Sequence, residues 1–290
     1  MGLERIIQAA AFATVLSSVS AVSAQELPIG YISKVEPAAR LAVLGFNLLG
    51  NTFLCAAVAA AEERPILTDG ANCLAGATIQ FAGMEIGMLN VPVLPGIGLR
   101  VVETGTSIID NTLAGRKSFE KLHYEFGPLL FEIDTNGSFN WYGRILPLAG
   151  LIGNITAGNA FNVEDTFSYQ TFSFNTSMQD IDGYAFGNIM TYNLKGTYIR
   201  AHEFNHVLQY VRFRPAEQLV PSFLRDKAHL RIGEDLAIGV MNLPLLICSA
   251  TGEKDCGRRW WNITEVESYV LETGNPEYQL DQSYKDLNKR

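Results

Sequence analysis

The amino-acid sequence predicts an α+β fold, in which an apolar helical N-terminal part is followed by antiparallel hairpins and a further helix. The first supporting observation is a proline-free run rich in Ala and Leu over residues 38–63. The second is the pair Asn136-Gly137, which stands between two β-prone segments. The third is "AHEFNHVLQY" (201–210), which carries two histidines one helical turn apart.

Length and composition are those of a globular protein. The chain has 290 residues, of which 48% are hydrophobic and 18% are charged. That length suffices for one large domain or two modest ones with a sizeable core, and the composition argues against disorder. The net charge of −8 excludes a broad interface with nucleic acid, since such interfaces are basic.

The first 24 residues are predicted to be a secretory signal peptide. Arg5 gives a positive start, an apolar run follows from Ile6 to about Val22, and Val22-Ser23-Ala24 resembles a signal-peptidase site. An N-terminal membrane anchor is the alternative. We therefore expect an exported protein, periplasmic or secreted, with membrane association left open.

The cysteine count agrees with export. The four cysteines are Cys55, Cys73, Cys248 and Cys256. An even number in an exported chain suggests disulfides, and pairing within the two close pairs is the simplest arrangement. Four buried thiols are the alternative. No CxxC spacing occurs, which argues against a cysteine zinc site.

The run over residues 38–63 should form a helix that contacts a membrane, the cell envelope or the protein core. It is nearly long enough to span a bilayer, but Arg40, Asn47 and Asn51 interrupt its apolar character. We therefore favour a buried or membrane-leaning helix over a true transmembrane span.

The composition divides the mature chain at about residue 117. Residues 25–117 are interpreted as an apolar helical region, with a second helix within 96–115. The run over 75–98 has no clear period and yields no prediction. Residues 118–290 are interpreted as one domain of β-hairpins and a histidine-bearing helix.

Asn136-Gly137 predicts a β-hairpin within residues 129–146. This pair favours a type I′ turn, because both central positions of that turn need a positive φ. Further along, residues 184–192 alternate in the manner of a strand that leads toward the histidine helix.

His202, Glu203 and His206 form the pattern H-E-x-x-H. The helix that carries them should start at Gly196-Thr197 and end near Phe213, ahead of a proline. Histidines four residues apart project from the same helical face, so that both imidazoles can bind one Zn²⁺ ion. Glu203 flanks that face and can reach a water on the ion. The alternative is a core helix whose histidines make ordinary hydrogen bonds.

On these residues the chain resembles the zincin metallopeptidases. The resemblance covers about twenty residues: the motif, its helix and the strand before it. The longer form "HEFNHVLQ", which ends at Gln209, is similar to bacterial zincin-like proteins with the pattern H-E-[YF]-x-H-x-x-Q. It lacks the third histidine of the metzincin pattern, because Phe213 stands near that position. The resemblance therefore implies a zincin-like metal-binding helix whose third ligand is a distant glutamate.

Glu267 is the first choice for that third ligand. In the resembling families the ligand lies on a second helix, often as Glu before a small residue, and Glu267-Ser268 fits that form. Glu267 has an ordinary alternative role, which is to complete a capping box with Thr264 at a helix start. The other candidates are acidic residues of two nearby segments: Glu265, Glu234 and Asp235.

The resemblance implies an exported zinc metallopeptidase that hydrolyses a peptide bond with metal-activated water and with Glu203 as general base. Its substrate would be a peptide or protein bound along an edge strand, here residues 184–192. His229 and Tyr269 are candidates for stabilising the oxyanion, and neither is assigned; His123 is interpreted as structural. The alternative function is a non-catalytic zincin-like binding or structural protein, exported or associated with the envelope.

Overall fold

The computed structural model describes residues 36–89, 91–177, 183–193, 197–219 and 230–231. Over these residues the chain is α+β: three long helices precede two β-sheets and a further long helix. This order confirms the coarse fold class. The predicted signal peptide, residues 1–24, lies outside the described residues, and the predicted division near residue 117 stays a prediction.

The helical N-terminal part consists of α1 (Glu36–Ala61), α2 (Ile66–Gly87) and α3 (Leu94–Leu113). The helices predicted over 38–63 and within 96–115 are thus confirmed as α1 and α3. In the part of the chain that the structure describes, no helix is both long and apolar enough to cross a membrane.

Sequence analysis made no prediction for much of α2, and the glycines of this helix explain why. An ideal Cβ placed on Gly83 would lie 2.5 Å from the Val102 backbone nitrogen, and one on Gly76 would lie 2.8 Å from the Gly105 carbonyl oxygen. The backbones of α2 and α3 are therefore in direct contact. The helical period of α2 is a period of small residues, which a search for apolar side chains does not detect.

A disulfide between Cys55 and Cys73 joins α1 to α2. It confirms one of the two pairings expected from sequence; Cys248 and Cys256 lie outside the described residues. Both half-cystines are buried in a small core with Ile109 and Leu113 of α3.

The first sheet is built from β1 (Lys121–Phe126), β2 (Leu129–Asp134) and β3 (Phe139–Arg144), which are consecutive antiparallel neighbours. The predicted hairpin at Asn136-Gly137 is therefore confirmed as β2–β3. Gly137 has φ +93°, whereas Asn136 is not among the described residues with positive φ. The predicted type I′ turn is consequently wrong, because that turn needs positive φ at both positions.

The second sheet follows α4 (Ile145–Thr156). It begins with β4 (Ala160–Phe161), passes through the short helix α5 (Val163–Tyr169), and continues with β5 (Phe172–Thr176). Strand β4 pairs antiparallel with β5.

The predicted strand over 184–192 is instead a hairpin of β6 (Gly183–Ala185) and β7 (Ile189–Asn193). Gly187 adopts a left-handed φ of +57° and reverses the chain, and the Phe186 N–H donates to the Ile189 carbonyl at 2.8 Å. The sheet order is β4-β5-β7-β6, with β5 and β7 parallel, so β6 is an edge strand among the described strands.

The histidine helix, α6, spans Thr197–Phe213 and continues into a 3₁₀ turn over Arg214–Leu219. Its predicted start and end are confirmed. One face of α6 is buried in the main core through Phe204, Val207 and Leu208 with α2, α3 and β7. A last short strand, β8 (Leu230–Arg231), pairs in parallel with β3. The main core thus fixes α6 against both the helical part and the second sheet.

Candidate metal centre

His202 and His206 lie side by side on α6. Their Nε2 atoms are 3.1 Å apart, and their ring centroids are 4.7 Å apart with nearly perpendicular planes. Both side chains are half-buried, whereas Phe204 and Val207 between and beyond them are fully buried. The apolar face of α6 therefore holds the helix, and the histidines occupy a face that remains in partial contact with solvent.

The distance between the two nitrogens fits a shared ion. Two imidazole ligands at 2.0–2.1 Å from a tetrahedral Zn²⁺ have nitrogens about 3.3 Å apart. The observed 3.1 Å separation of His202 and His206 differs from that by only a few tenths of an ångström. The same separation suits a hydrogen bond in which one Nε2 carries a proton. The geometry accordingly accommodates a single cation or a single proton between the rings.

Gln209 contacts the far side of the His206 ring. Its side-chain oxygen lies 2.9 Å from Nδ1 of His206, and the Gln209 side chain is buried. His206 is therefore held at both of its nitrogens, by Gln209 on one side and by His202 on the other.

The Glu203 carboxylate lies directly against the edge strand β6. An ideal Cβ on Gly183 would be 2.6 Å from Oε1 of Glu203, so a side chain at this position would require the Glu203 side chain to shift. Glu203 is largely buried at this contact, with 5% of its surface exposed. Sequence analysis assigned Gly183 no part in the site, because its position beside Glu203 depends on the packing of β6 on α6.

The remaining predicted site residues all follow α6 in the sequence. Glu267, Glu265, Glu234, His229 and Tyr269 lie outside the described residues. Within the described ranges, no group of three or more His, Cys, Asp or Glu side chains is spaced to hold a metal ion. The third ligand therefore stays a prediction.

A buried network of charged side chains, which sequence analysis missed, anchors the end of α6. Arg144 of β3 and Arg214, just after α6, both donate to Oε1 of Glu125, at 3.0 and 3.2 Å. All three residues are fully buried. We call these residues, together with Glu103 on α3, the charged network. It ties the end of α6 to α3 and to the first sheet.

Glu103 is the member of the charged network whose pKa is shifted by burial. Burial raises the pKa of Glu103 from 4.5 to about 7, although the nearby positive charge of Arg100 opposes the shift. Its Oε1 accepts a hydrogen bond from the Glu125 backbone N–H at 2.6 Å.

His123, which sequence analysis interpreted as structural, is buried and bonded within the first sheet. It lies on β1 with 1% of its surface exposed, and its Nε2 is 3.0 Å from Oε2 of Glu132 on β2. Burial alone would raise the pKa of Glu132, but hydrogen bonds from His123 and Lys121 lower it well below its usual range.

Comparison of the whole chain with protein-family models, with curated proteins and with solved structures found no match.

Proposed function

We propose that this protein is a zinc-dependent hydrolase of peptide bonds. The observation that carries the proposal is the pair of half-buried imidazoles on α6, whose Nε2 atoms face each other at 3.1 Å, with Glu203 on the same helix. Two nitrogen donors on adjacent helical turns and a neighbouring base are what metal-assisted hydrolysis requires of a helix.

His202 and His206 would hold the ion through their Nε2 atoms, with Glu267 as the proposed third ligand. When bound, Zn²⁺ supplies a Lewis acid that polarises a carbonyl and lowers the pKa of a coordinated water to about 7. His202 and His206 would thus supply two of the three protein ligands that a catalytic zinc site uses.

Glu203 would act as the general base. Its carboxylate accepts a proton from the attacking water and then donates it to the leaving amine. The contact with Gly183 restricts the positions that this carboxylate can adopt, which favours a fixed base over a mobile one.

Strand β6 is the proposed docking site for an extended peptide. As an edge strand it presents main-chain N–H and C=O groups to which another strand can be added. It lies beside Glu203, so a peptide added there would pass close to the base. The proposed substrate-binding strand is therefore β6, residues 183–185, in place of the longer strand over 184–192 that was expected from the sequence.

Export remains part of the proposal. The Cys55–Cys73 disulfide supports it, because disulfides persist in the periplasm and outside the cell. We also propose that α1 contacts a membrane or another envelope component, since Leu49 and Phe53 expose 71% and 62% of their surfaces.

The first test compares the wild-type protein with Glu203→Gln. Zinc content is measured by elemental analysis, and hydrolysis is measured on casein and on a mixed library of fluorogenic peptides. We expect both proteins to bind one zinc ion and only the wild type to hydrolyse. Glu164→Gln, which changes an exposed glutamate of α5, is the matched control and should behave as the wild type.

The other outcomes are also informative. Zinc in both proteins with hydrolysis by neither would favour the alternative, a non-catalytic envelope-associated protein that binds metal. A wild-type protein without zinc affinity would refute the metal site itself. For the third ligand, Glu267→Ala should lose zinc while Glu265→Ala retains it; the reverse result would reassign the ligand.

A further inference from the structure

Gln209 is placed to control which nitrogen of His206 carries the proton. It lies three residues after His206 on α6, its side chain is 2% exposed, and its Oε1 is 2.9 Å from His206 Nδ1. Residues three apart on a helix are neighbours on its surface, so this contact follows directly from helix geometry.

The chemistry of the two groups fixes the direction of the hydrogen bond. An amide oxygen is only an acceptor, so Nδ1 of His206 must be the donor and must carry the proton. A neutral imidazole with its proton on Nδ1 has a lone pair on Nε2. That Nε2 faces Nε2 of His202 at 3.1 Å, so the lone pair is directed into the space between the two rings.

We propose that Gln209 is a positioning residue that holds His206 in the tautomer able to bind a metal ion through Nε2. The proposal rests on the proposed zinc site and assigns Gln209 a role within it. A hydrogen-bond acceptor on the second nitrogen of a ligating histidine fixes the ring and makes the ligand more basic, and its loss commonly costs about 10- to 100-fold in metal affinity.

A purely structural role is the competing explanation, since any buried glutamine needs hydrogen-bond partners. Two variants separate the explanations. Gln209→Met keeps the length of the side chain and removes the acceptor. Gln209→Glu keeps an acceptor oxygen at the same position. If Gln209 serves only in packing, the two variants should have the same effect on the tautomer of His206. If Gln209 positions His206, only Gln209→Met should change that tautomer.

The first readout is the tautomer of His206 in the metal-free full-length protein, measured from the ¹⁵N chemical shifts of its ring. We expect the proton on Nδ1 in the wild type and in Gln209→Glu, and on Nε2 in Gln209→Met. A wild-type ring protonated on Nε2, or an unchanged tautomer in Gln209→Met, would overturn the proposal.

The second readout is zinc affinity, measured by competition with a chelator. We expect about 10- to 100-fold weaker binding by Gln209→Met and binding by Gln209→Glu at least as tight as that of the wild type. Equal affinities in all three proteins would refute the positioning role while leaving the zinc site in place. No zinc binding by the wild type, with a tautomer that depends on Gln209, would refute the proposed function and retain the tautomer assignment.

Discussion

The molecule contains histidines in two contrasting surroundings. His123 is fully buried on β1, within 3.0 Å of Glu132 and 3.7 Å of Asp110, two carboxylates that are themselves buried. His202 and His206 are half-buried on α6 and face each other.

The contrast shows that the neighbours of a histidine, more than its presence, indicate its role. Around His123 the two carboxylates form ion pairs with Lys121 and Arg116, so the charges of this group are compensated within the fold. On α6 two ring nitrogens converge at a partly accessible position, where a small cation can enter. The arrangement around His123 stabilises the fold, whereas the pair on α6 has a geometry suited to binding a cation.

The largest expected effect in this comparison comes from breaking the charged network. Glu125→Ala should lower the free energy of unfolding by about 3–5 kcal/mol, because it leaves the guanidinium groups of Arg144 and Arg214 buried without their shared carboxylate. Chemical denaturation measures the loss. Glu164→Ala, an exposed glutamate, should cost less than about 1 kcal/mol. Similar losses in both variants would show that the charged network makes no particular contribution to the free energy of unfolding.

Glu103 of the charged network should make the free energy of unfolding depend on pH. Its folded pKa of about 7 lies above the ordinary 4.5, so its contribution to stability is complete below pH 4.5 and declines as pH rises to about 7. The decline amounts to about 3 kcal/mol. Glu103→Gln should lack it. Unfolding free energies at pH 5 and pH 8 measure the difference between the variants, and parallel pH profiles would contradict the assignment.

Gly183→Ala tests whether the proposed site on α6 depends on the position of the Glu203 carboxylate. The added methyl group would meet the Glu203 carboxylate at 2.6 Å and displace it, so hydrolysis should fall about 100-fold while zinc content is unchanged. In the control, Gly153→Ala on α4, the added methyl group meets nothing within 4 Å. Full activity of Gly183→Ala would show that the position of Glu203 is not limiting.

The smallest expected effect is on the stability of the metal-free protein after removal of one histidine of the pair. His206→Ala should change the free energy of unfolding by less than about 1 kcal/mol, since the ring is half-buried and alanine favours the helix. His123→Ala should cost more, because it removes the buried partner of Glu132. Denaturation of the two metal-free variants gives the comparison; equal costs would remove the distinction between the two surroundings.

Sequence reasoning succeeded where the signal is local. The bounds of α6 followed from Thr197 and Pro215, and the β2–β3 hairpin followed from Asn136-Gly137. It failed where the signal depends on contacts distant in sequence. The period of α2 is carried by glycines that have meaning only against α3, and Gly187 splits the expected strand into a hairpin.

The candidate site was predicted in part for the same reason. Helix geometry brings the rings of His202 and His206 together in any α-helix with this spacing. It says nothing of Gly183, which is twenty residues before Glu203 and reaches it only through the packing of β6 on α6.

The sequence by itself determined the histidine helix and the facing imidazoles, because each depends on residues that are close in sequence, and it identified a disulfide between cysteines 18 residues apart. Only the tertiary structure decided what His123 contacts, which residue lies against Glu203, and where charges are buried. Those outcomes depend on desolvation and on close approach between distant segments, for example of Arg214 to Glu125, and no local pattern encodes them.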